Sequence, residues 1–207
     1  MIMNGIVLSI NQTLESKEET PDYSFFWEAI DKTVSQSHYQ LQLTFSLDLS
    51  QEIITGNYTF DIDHQFHKQK IAATVNKEGT ISWNATIDEY DNKYYYEDST
   101  QGITVPEMAN VEYFFELMKE AKEITANSFV ISKETLEKRL NATSMPFMSG
   151  VKENENLIVD HDVTYYYEMS NQMFTQMEST FSINNGKLIS ANYQIKSLPD
   201  SMTEDVK

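Results

Sequence analysis

The residue types best suited to metal chemistry occur together in the stretch DIDHQFHK, which contains Asp61, Asp63, His64 and His67. Mixed carboxylates and imidazoles are ligands for zinc and similar ions. However, the two aspartates alternate with apolar residues of a predicted strand, and His64 falls where that strand should turn. The spacing therefore favours a solvated strand end, and we expect no metal site here.

A second candidate is the sequence DHD, which places His161 between Asp160 and Asp162. Successive side chains of an extended strand point to opposite faces, so the three groups cannot converge on one reacting atom. The same alternation puts His161 on the face of Val159 and Val163. This pattern predicts a histidine of the core or its rim rather than a catalyst.

Other catalytic signatures are missing from the sequence. There is no cysteine, which excludes disulfides, zinc–thiolate sites and thiol catalysis. There is no G-x-S-x-G, no phosphate-binding glycine loop and no H-E-x-x-H, and the acidic stretch DEYDN lacks the spacing of a calcium loop. We therefore expect a protein that is not an enzyme, with no catalytic residues, no metal and no cofactor.

The charge of the chain narrows the class of partner. The 207 residues include 32 acidic and 15 basic ones, giving a formal net charge of −17. Such a surface repels nucleic-acid phosphate and anionic lipid headgroups, so we expect neither as a direct partner. The apolar start, MIMNGIVLSI, has no basic residue before Lys17 and no small-residue cleavage site, so it is not a convincing signal peptide.

Alternation of apolar and polar residues dominates the chain. It is clearest in HYQLQLTFSLDLS and recurs in GNYTFDID, KIAATVN and ISWNATIDEY, which short turns separate. Two tyrosine triplets, NKYYYED and VTYYYEM, fit the same period. Tyr94 and Tyr96 share one face of their strand, as Tyr165 and Tyr167 do in theirs, so we expect two rings of each triplet to point inward. These segments predict an antiparallel sheet.

Three segments have helical periodicity. DYSFFWEAIDKTVSQ begins at Asp22, a candidate N-cap, and VPEMANVEYFFELMKEAKEI has Pro106 at a first helical position. A shorter helix, SKETLEKRL, starts near Ser132. The order of helix, four or five strands, helical insert and three or more strands predicts an α+β fold. We assign residues 1–21 to an N-terminal segment or linker, 22–199 to a single domain and 200–207 to a loose acidic tail.

The first part of this pattern resembles a known family. The helix FFWEAIDKTVSQ, the strands that follow it and the tyrosine-rich NKYYYED are similar to the LolA/LppX-like family of lipoprotein carriers and their Gram-positive lipoprotein relatives, chiefly over residues 24–98. The resemblance implies a strongly curved antiparallel sheet, a half-open barrel, with helices covering its concave face. It also implies a non-enzymatic, exported or lipid-anchored domain of the bacterial cell envelope, at the cell surface or outside the cell.

From these observations we expect a cavity between sheet and helices that binds a hydrophobic small molecule, a lipid or an acyl chain. We expect contact with a membrane only through a lipid anchor that has been lost from this chain. The alternative is a protein-interaction module, such as a surface adhesin or sensor ectodomain, whose core is filled and whose acidic face binds a cell-surface protein. The residues expected to line the cavity are Phe45, Phe60, Trp83, Tyr94, Tyr96, Phe115, Met118, Tyr165 and Tyr167.

Overall fold

The computed structural model describes residues 22–48, 53–76, 80–88, 93–99, 112–141, 157–184 and 186–199. The predicted N-terminal segment 1–21, the tail 200–207 and the helix start at Pro106 lie outside these residues. The described helices are α1 (Ser24–Val34), α2 (Glu112–Lys119) and α3 (Lys133–Asn141). The described strands are β1 (His38–Asp48), β2 (Ile53–Asp63), β3 (Lys68–Asn76), β4 (Thr80–Asp88), β5 (Lys93–Ser99), β6 (Glu123–Ile124), β7 (Ser128–Ile131), β8 (Val163–Ser170), β9 (Met173–Ile183) and β10 (Lys187–Ser197).

All ten strands form one antiparallel sheet in the order β5-β4-β3-β2-β1-β10-β9-β8-β7-β6. The sheet curls without closing, and the helices cover its concave face, which confirms the predicted α+β, half-open architecture. Each half of the sheet is a run of neighbours in sequence. The two halves meet where β1 pairs with β10, from Tyr39 opposite Ser197 to Asp48 opposite Leu188.

The alternation predicted from the sequence decides which side chains enter the core. In β1, β2 and β3 every second residue is buried, because one face of each strand lies beneath the helices while the other meets solvent. The second tyrosine triplet behaves as predicted: Tyr165 and Tyr167 are buried, whereas Tyr166 is exposed on the outer face. In the first triplet, the side chains lie outside the described residues.

Helix α1 is fixed to the sheet by one aromatic cluster and one polar contact. The ring of Phe26 makes edge contacts with Phe129 at 5.3 Å and with Phe174 at 5.4 Å between centroids. The hydroxyl of Thr33 accepts a hydrogen bond from the Phe174 amide at 3.0 Å and donates to the Ala29 carbonyl at 2.7 Å. This pairing satisfies a buried hydroxyl and sets the position of the helix along β9.

Strands β8 and β9 are joined by a two-residue turn at Asn171 and Gln172. Both residues have left-handed backbones, with φ of 54° and 62°. Two left-handed residues between antiparallel strands match the right-handed twist of the sheet. The Lys32 ammonium of α1 donates to the Asn171 carbonyl and to the Gln172 side chain, so the turn is also tied to the helix.

The structure corrects several local predictions. The N-cap position of α1 is Tyr23 rather than Asp22, although the Asp22 carboxylate accepts a hydrogen bond from the Ser24 amide. Helix α2 ends at Lys119, although the predicted helical segment VPEMANVEYFFELMKEAKEI runs to Ile124. The chain then forms the short hairpin of β6 and β7, which the sequence reading had absorbed into a helical insert. The predicted start of α3 is confirmed, because the Ser132 hydroxyl accepts the Thr135 amide.

Candidate functional site

The described residues that we expected to line a cavity are packed into the core. None of the six is more than 5% exposed, and all belong to one continuous apolar cluster. Tyr165 stacks on Phe129 with the ring centroids 4.9 Å apart, and Tyr167 makes an edge contact with Phe174. The six residues are Phe45, Phe60, Phe115, Met118, Tyr165 and Tyr167. The side chains of the other three expected residues, Trp83, Tyr94 and Tyr96, lie outside the described ones.

The buried phenols are held in their neutral form. Burial raises the pKa of Tyr165 and of Tyr193, because the phenolate would lose its hydration. Burial also raises the pKa of Tyr167, whose hydroxyl donates a hydrogen bond of 2.6 Å to the Thr125 carbonyl. These rings therefore contribute apolar surface and hydrogen bonds, and they carry no charge at neutral pH.

A pocket of about 250 Å³ opens where α1 and α2 meet β1 and β3; we call it the α1–α2 pocket. Ile30, Val34 and Phe115 supply apolar wall. At the mouth, the Lys119 ammonium lies 2.9 Å from the Glu116 carboxylate. The complete lining is Ile30, Val34, Tyr39, His64, Gln69, Phe115, Glu116 and Lys119. Of these, the sequence analysis had named only Phe115 as a ligand-binding residue.

A larger depression of about 690 Å³ lies on the opposite, outer face of the sheet, across β1, β10, β9 and β8; we call it the outer groove. Its lining is Thr44, Phe45, Ser46, His161, Asp162, Thr164, Tyr166, Glu178, Ser179, Thr180, Ser190, Ala191 and Asn192. A smaller depression of about 280 Å³ adjoins it, because Tyr166 and Glu178 line both. The sequence analysis missed the outer groove, although the outward position of Tyr166 was predicted.

His38 forms a polar link that the sequence analysis also missed. Its Nδ1 lies 2.8 Å from the Pro199 carbonyl oxygen, and its Nε2 lies 2.7 Å from Asp61 Oδ1. Both neighbours are acceptors, so both ring nitrogens donate only when the imidazole is protonated. Burial opposes this charge, but the hydrogen bonds to Pro199 and Asp61 outweigh it, and the pKa of His38 is raised.

The residues considered as metal ligands are separated. Asp61 contacts His38, whereas Asp63 Oδ1 accepts the Gln65 and Phe66 amides of the following turn. His64 Nε2 lies 3.1 Å from the Val34 carbonyl. Across the described ranges, no three His, Asp or Glu side chains are grouped to hold an ion.

His161 differs from its predicted position. It is exposed, because the chain bends between Val159 and the start of β8 and the alternation of the strand is interrupted. Its Nδ1 lies 3.4 Å from the Ser182 hydroxyl. The side chain is therefore part of the outer groove instead of the core.

Comparisons with known proteins do not assign the chain to a family. No family model matches it, and no curated protein matches it. A solved structure titled as an N-terminal dehydratase from the difficidin assembly line is 9% identical, covering 85% of this chain and 82% of that chain with a TM-score of 0.18. A score this low supports no inference about fold or activity. The resemblance to LolA/LppX-like carriers stays a prediction. Separately, none of the described helices has the length and apolarity to cross a bilayer.

Proposed function

We propose that the chain is a non-enzymatic binding protein that holds a small hydrophobic ligand in the α1–α2 pocket. The observation that carries the proposal is an opening between two helices and the concave face of a curved sheet, walled by apolar side chains. Ligand sites are commonly apolar clefts with a few polar groups that fix orientation. Glu116, Lys119 and His64 would supply such groups here.

The size of the pocket narrows the class of ligand. Sites for drug-sized molecules measure roughly 300–1,000 Å³, and the α1–α2 pocket holds about 250 Å³. The described side chains elsewhere on the concave face belong to the packed core, so they leave no long channel for a diacyl lipid between them. We therefore propose a short acyl chain, with its polar end at the mouth of the pocket near Lys119. An exported or surface-anchored location, as the family resemblance implied, is part of the same proposal.

A series of straight-chain fatty acids tests this proposal. Each buried methylene is worth about 0.8 kcal/mol, so affinity should rise about fourfold per methylene from butanoate to octanoate until the pocket is full. Isothermal titration calorimetry measures the trend, and native mass spectrometry identifies any molecule that co-purifies. An affinity that does not change with chain length would overturn the proposal.

Two helix variants locate the binding site. Val34→Phe places a ring in the pocket and should abolish octanoate binding. Asp31→Phe adds the same ring on the exposed side of α1 and should leave binding unchanged. Thermal melting of both variants shows whether each remains folded. If the wild-type protein and both variants bind octanoate equally well, the ligand does not bind in the α1–α2 pocket.

The filled core favours a second candidate, a protein-interaction module. Five of the six described residues expected to line a lipid cavity are buried in the apolar cluster without lining the α1–α2 pocket. With a net charge of −17, such a module would bind a basic partner. Its signature would be a partner captured at low salt and released at high salt, together with no response to fatty acids.

A further inference from the structure

The outer groove is built by cross-strand register. Thr44 in β1 lies opposite Asn192 in β10, and Asn192 lies opposite Glu178 in β9. Glu178 lies opposite Tyr166 in β8. These four residues therefore form one row across four strands, about 14 Å long at the usual strand spacing. A neighbouring row runs from Ser46 through Ser190 to Thr180 in the same way.

Apart from the Glu178 carboxylate, the two rows present uncharged hydrogen-bonding groups. Five serine and threonine side chains on the outer face line the groove, and each can donate and accept, as can the Asn192 amide; Ser179, which also borders the groove, is buried. Thr180 and Ser190 already pair at 3.1 Å, which fixes their spacing. The five are Thr44, Ser46, Thr164, Thr180 and Ser190.

Tyr166 adds an apolar platform at the end of the first row. It is 54% exposed, although both neighbouring tyrosines of its triplet are buried. The adjoining depression beyond it is lined by the amides of Asn127 and Gln176 and by the carboxylates of Glu168 and Glu178. A flat ring beside amide and carboxylate groups offers both an apolar face and hydrogen-bond partners to the same ligand.

The charges around the groove select against anionic ligands. Among the described residues, no lysine or arginine lines either depression, and the whole chain carries −17, so anionic ligands are repelled. Of the carboxylates in the groove itself, Asp162 is already engaged by the Lys122 ammonium and the Lys133 amide, which lower its pKa. This leaves Glu178 as an acceptor among neutral groups, an arrangement matched to hydroxyl donors rather than to a polycation.

We propose that the outer groove binds a neutral oligosaccharide. A sugar ring has one face of C–H groups, which would stack on Tyr166, and an edge of hydroxyls, which would donate to Glu178 and exchange hydrogen bonds with the two polar rows. The site lies on the opposite face of the sheet from the α1–α2 pocket, so the inference goes beyond the proposed function and stands independently of it.

Titration with defined hexasaccharides tests the inference. The neutral probes are cellohexaose, maltohexaose, xylohexaose and chitohexaose, and the charged controls are hexagalacturonate and spermine. At least one neutral probe should bind with a Kd below about 1 mM, the weakest affinity that calorimetry would follow here, and both charged controls should bind more weakly. If no neutral probe reaches that affinity, or if either charged control binds better, the inference is wrong.

Three variants connect binding to the groove. Tyr166→Ala should lower the affinity for the tightest-binding neutral probe about tenfold through loss of stacking. Glu178→Gln should lower the same affinity by a smaller factor. Phe25→Ala removes another exposed aromatic ring, 40% exposed, from α1 outside the groove and should change nothing. Melting curves establish that the three variants are folded. Binding that survives Tyr166→Ala unchanged, or that falls equally with Phe25→Ala, would overturn the assignment.

Discussion

Gly56 offers a sharp test of how the concave face is packed. It lies directly opposite Phe45 on the neighbouring strand, and the aromatic ring covers the space where a side chain would be. A Cβ at position 56 would stand 2.1 Å from Phe45 Cε1 and 2.5 Å from Cζ. Ordinary carbon contacts are about 3.5–4.0 Å, so Gly56→Ala requires the ring to move by roughly 1.4 Å.

The cost can be worked from two opposing terms. Phe45 is buried and has Tyr58 as a neighbour at 6.0 Å between ring centroids, so its displacement overpacks the core at about 1–3 kcal/mol. Alanine is otherwise the better strand residue by about 0.5–1 kcal/mol, since the backbone of Gly56 is not left-handed. The difference between the two terms is centred on about 1 kcal/mol, so Gly56→Ala should destabilise the protein by that amount and lower Tm by roughly 2–4 °C.

Making Gly56→Ala in a second variant, Phe45→Leu, separates the steric clash with the Phe45 ring from any other effect of the substitution. Phe45→Leu removes the ring that occupies the Cβ position, and it lowers stability by itself. In that background, Gly56→Ala should be neutral or stabilising, giving a coupling of about 2 kcal/mol in a double-mutant cycle of urea unfolding curves. An equal loss from Gly56→Ala in both backgrounds would refute the contact between Phe45 and the glycine.

Two further predictions concern polar and backbone features. The hydrogen bonds that His38 donates to Pro199 and Asp61 raise its pKa in the folded protein. Protonated His38 therefore stabilises the fold fully at a pH below its pKa in the unfolded chain, about 6.5, and this contribution is lost as the pH rises through its pKa in the folded protein. Urea unfolding between pH 6 and 8 measures the loss of unfolding free energy with pH, which His38→Gln should abolish and Asp61→Asn should reduce. If both variants keep the pH dependence of the wild-type protein, the contribution of the His38–Asp61 contact is contradicted. In the β8–β9 turn, Gln172→Gly should stabilise by about 0.5–1 kcal/mol by relieving a left-handed backbone. Asn171→Gly should gain less, since asparagine tolerates this conformation, so a larger gain at position 171 in thermal melts would contradict the reasoning.

The central strands could be predicted from the sequence because each has one solvent-exposed face and one buried face. In β1, polar residues such as Gln42 and Thr44 alternate with Leu41 and Leu43, and the structure buries only the apolar set. The hairpin of β6 and β7 could not be recognised in this way. Its strands have two and four residues, which is too short for a period to show, and they follow directly on the helical pattern of α2.

The candidate sites were harder to predict than the fold, since both depend on which strands become neighbours. Asn192 and Glu178 read as ordinary outward residues in their own strands, and only the register brings them into one row with Tyr166. The same is true of His38 and Pro199, which meet although they are 161 positions apart. The described residues expected to line the cavity lie in one apolar cluster, because aromatic side chains from several strands fill the same interior space.

The central position of the β1–β10 pair has a consequence for biogenesis. Until β10 has been synthesised, β1 lacks the partner on one of its sides, and its main-chain donors and acceptors there remain open. A nascent chain would therefore carry β1 with one edge unpaired until β10 has been made. The pairing at the centre of the sheet is therefore a long-range step, which is expected to be slow and to leave the open edge of β1 exposed to other chains in the meantime.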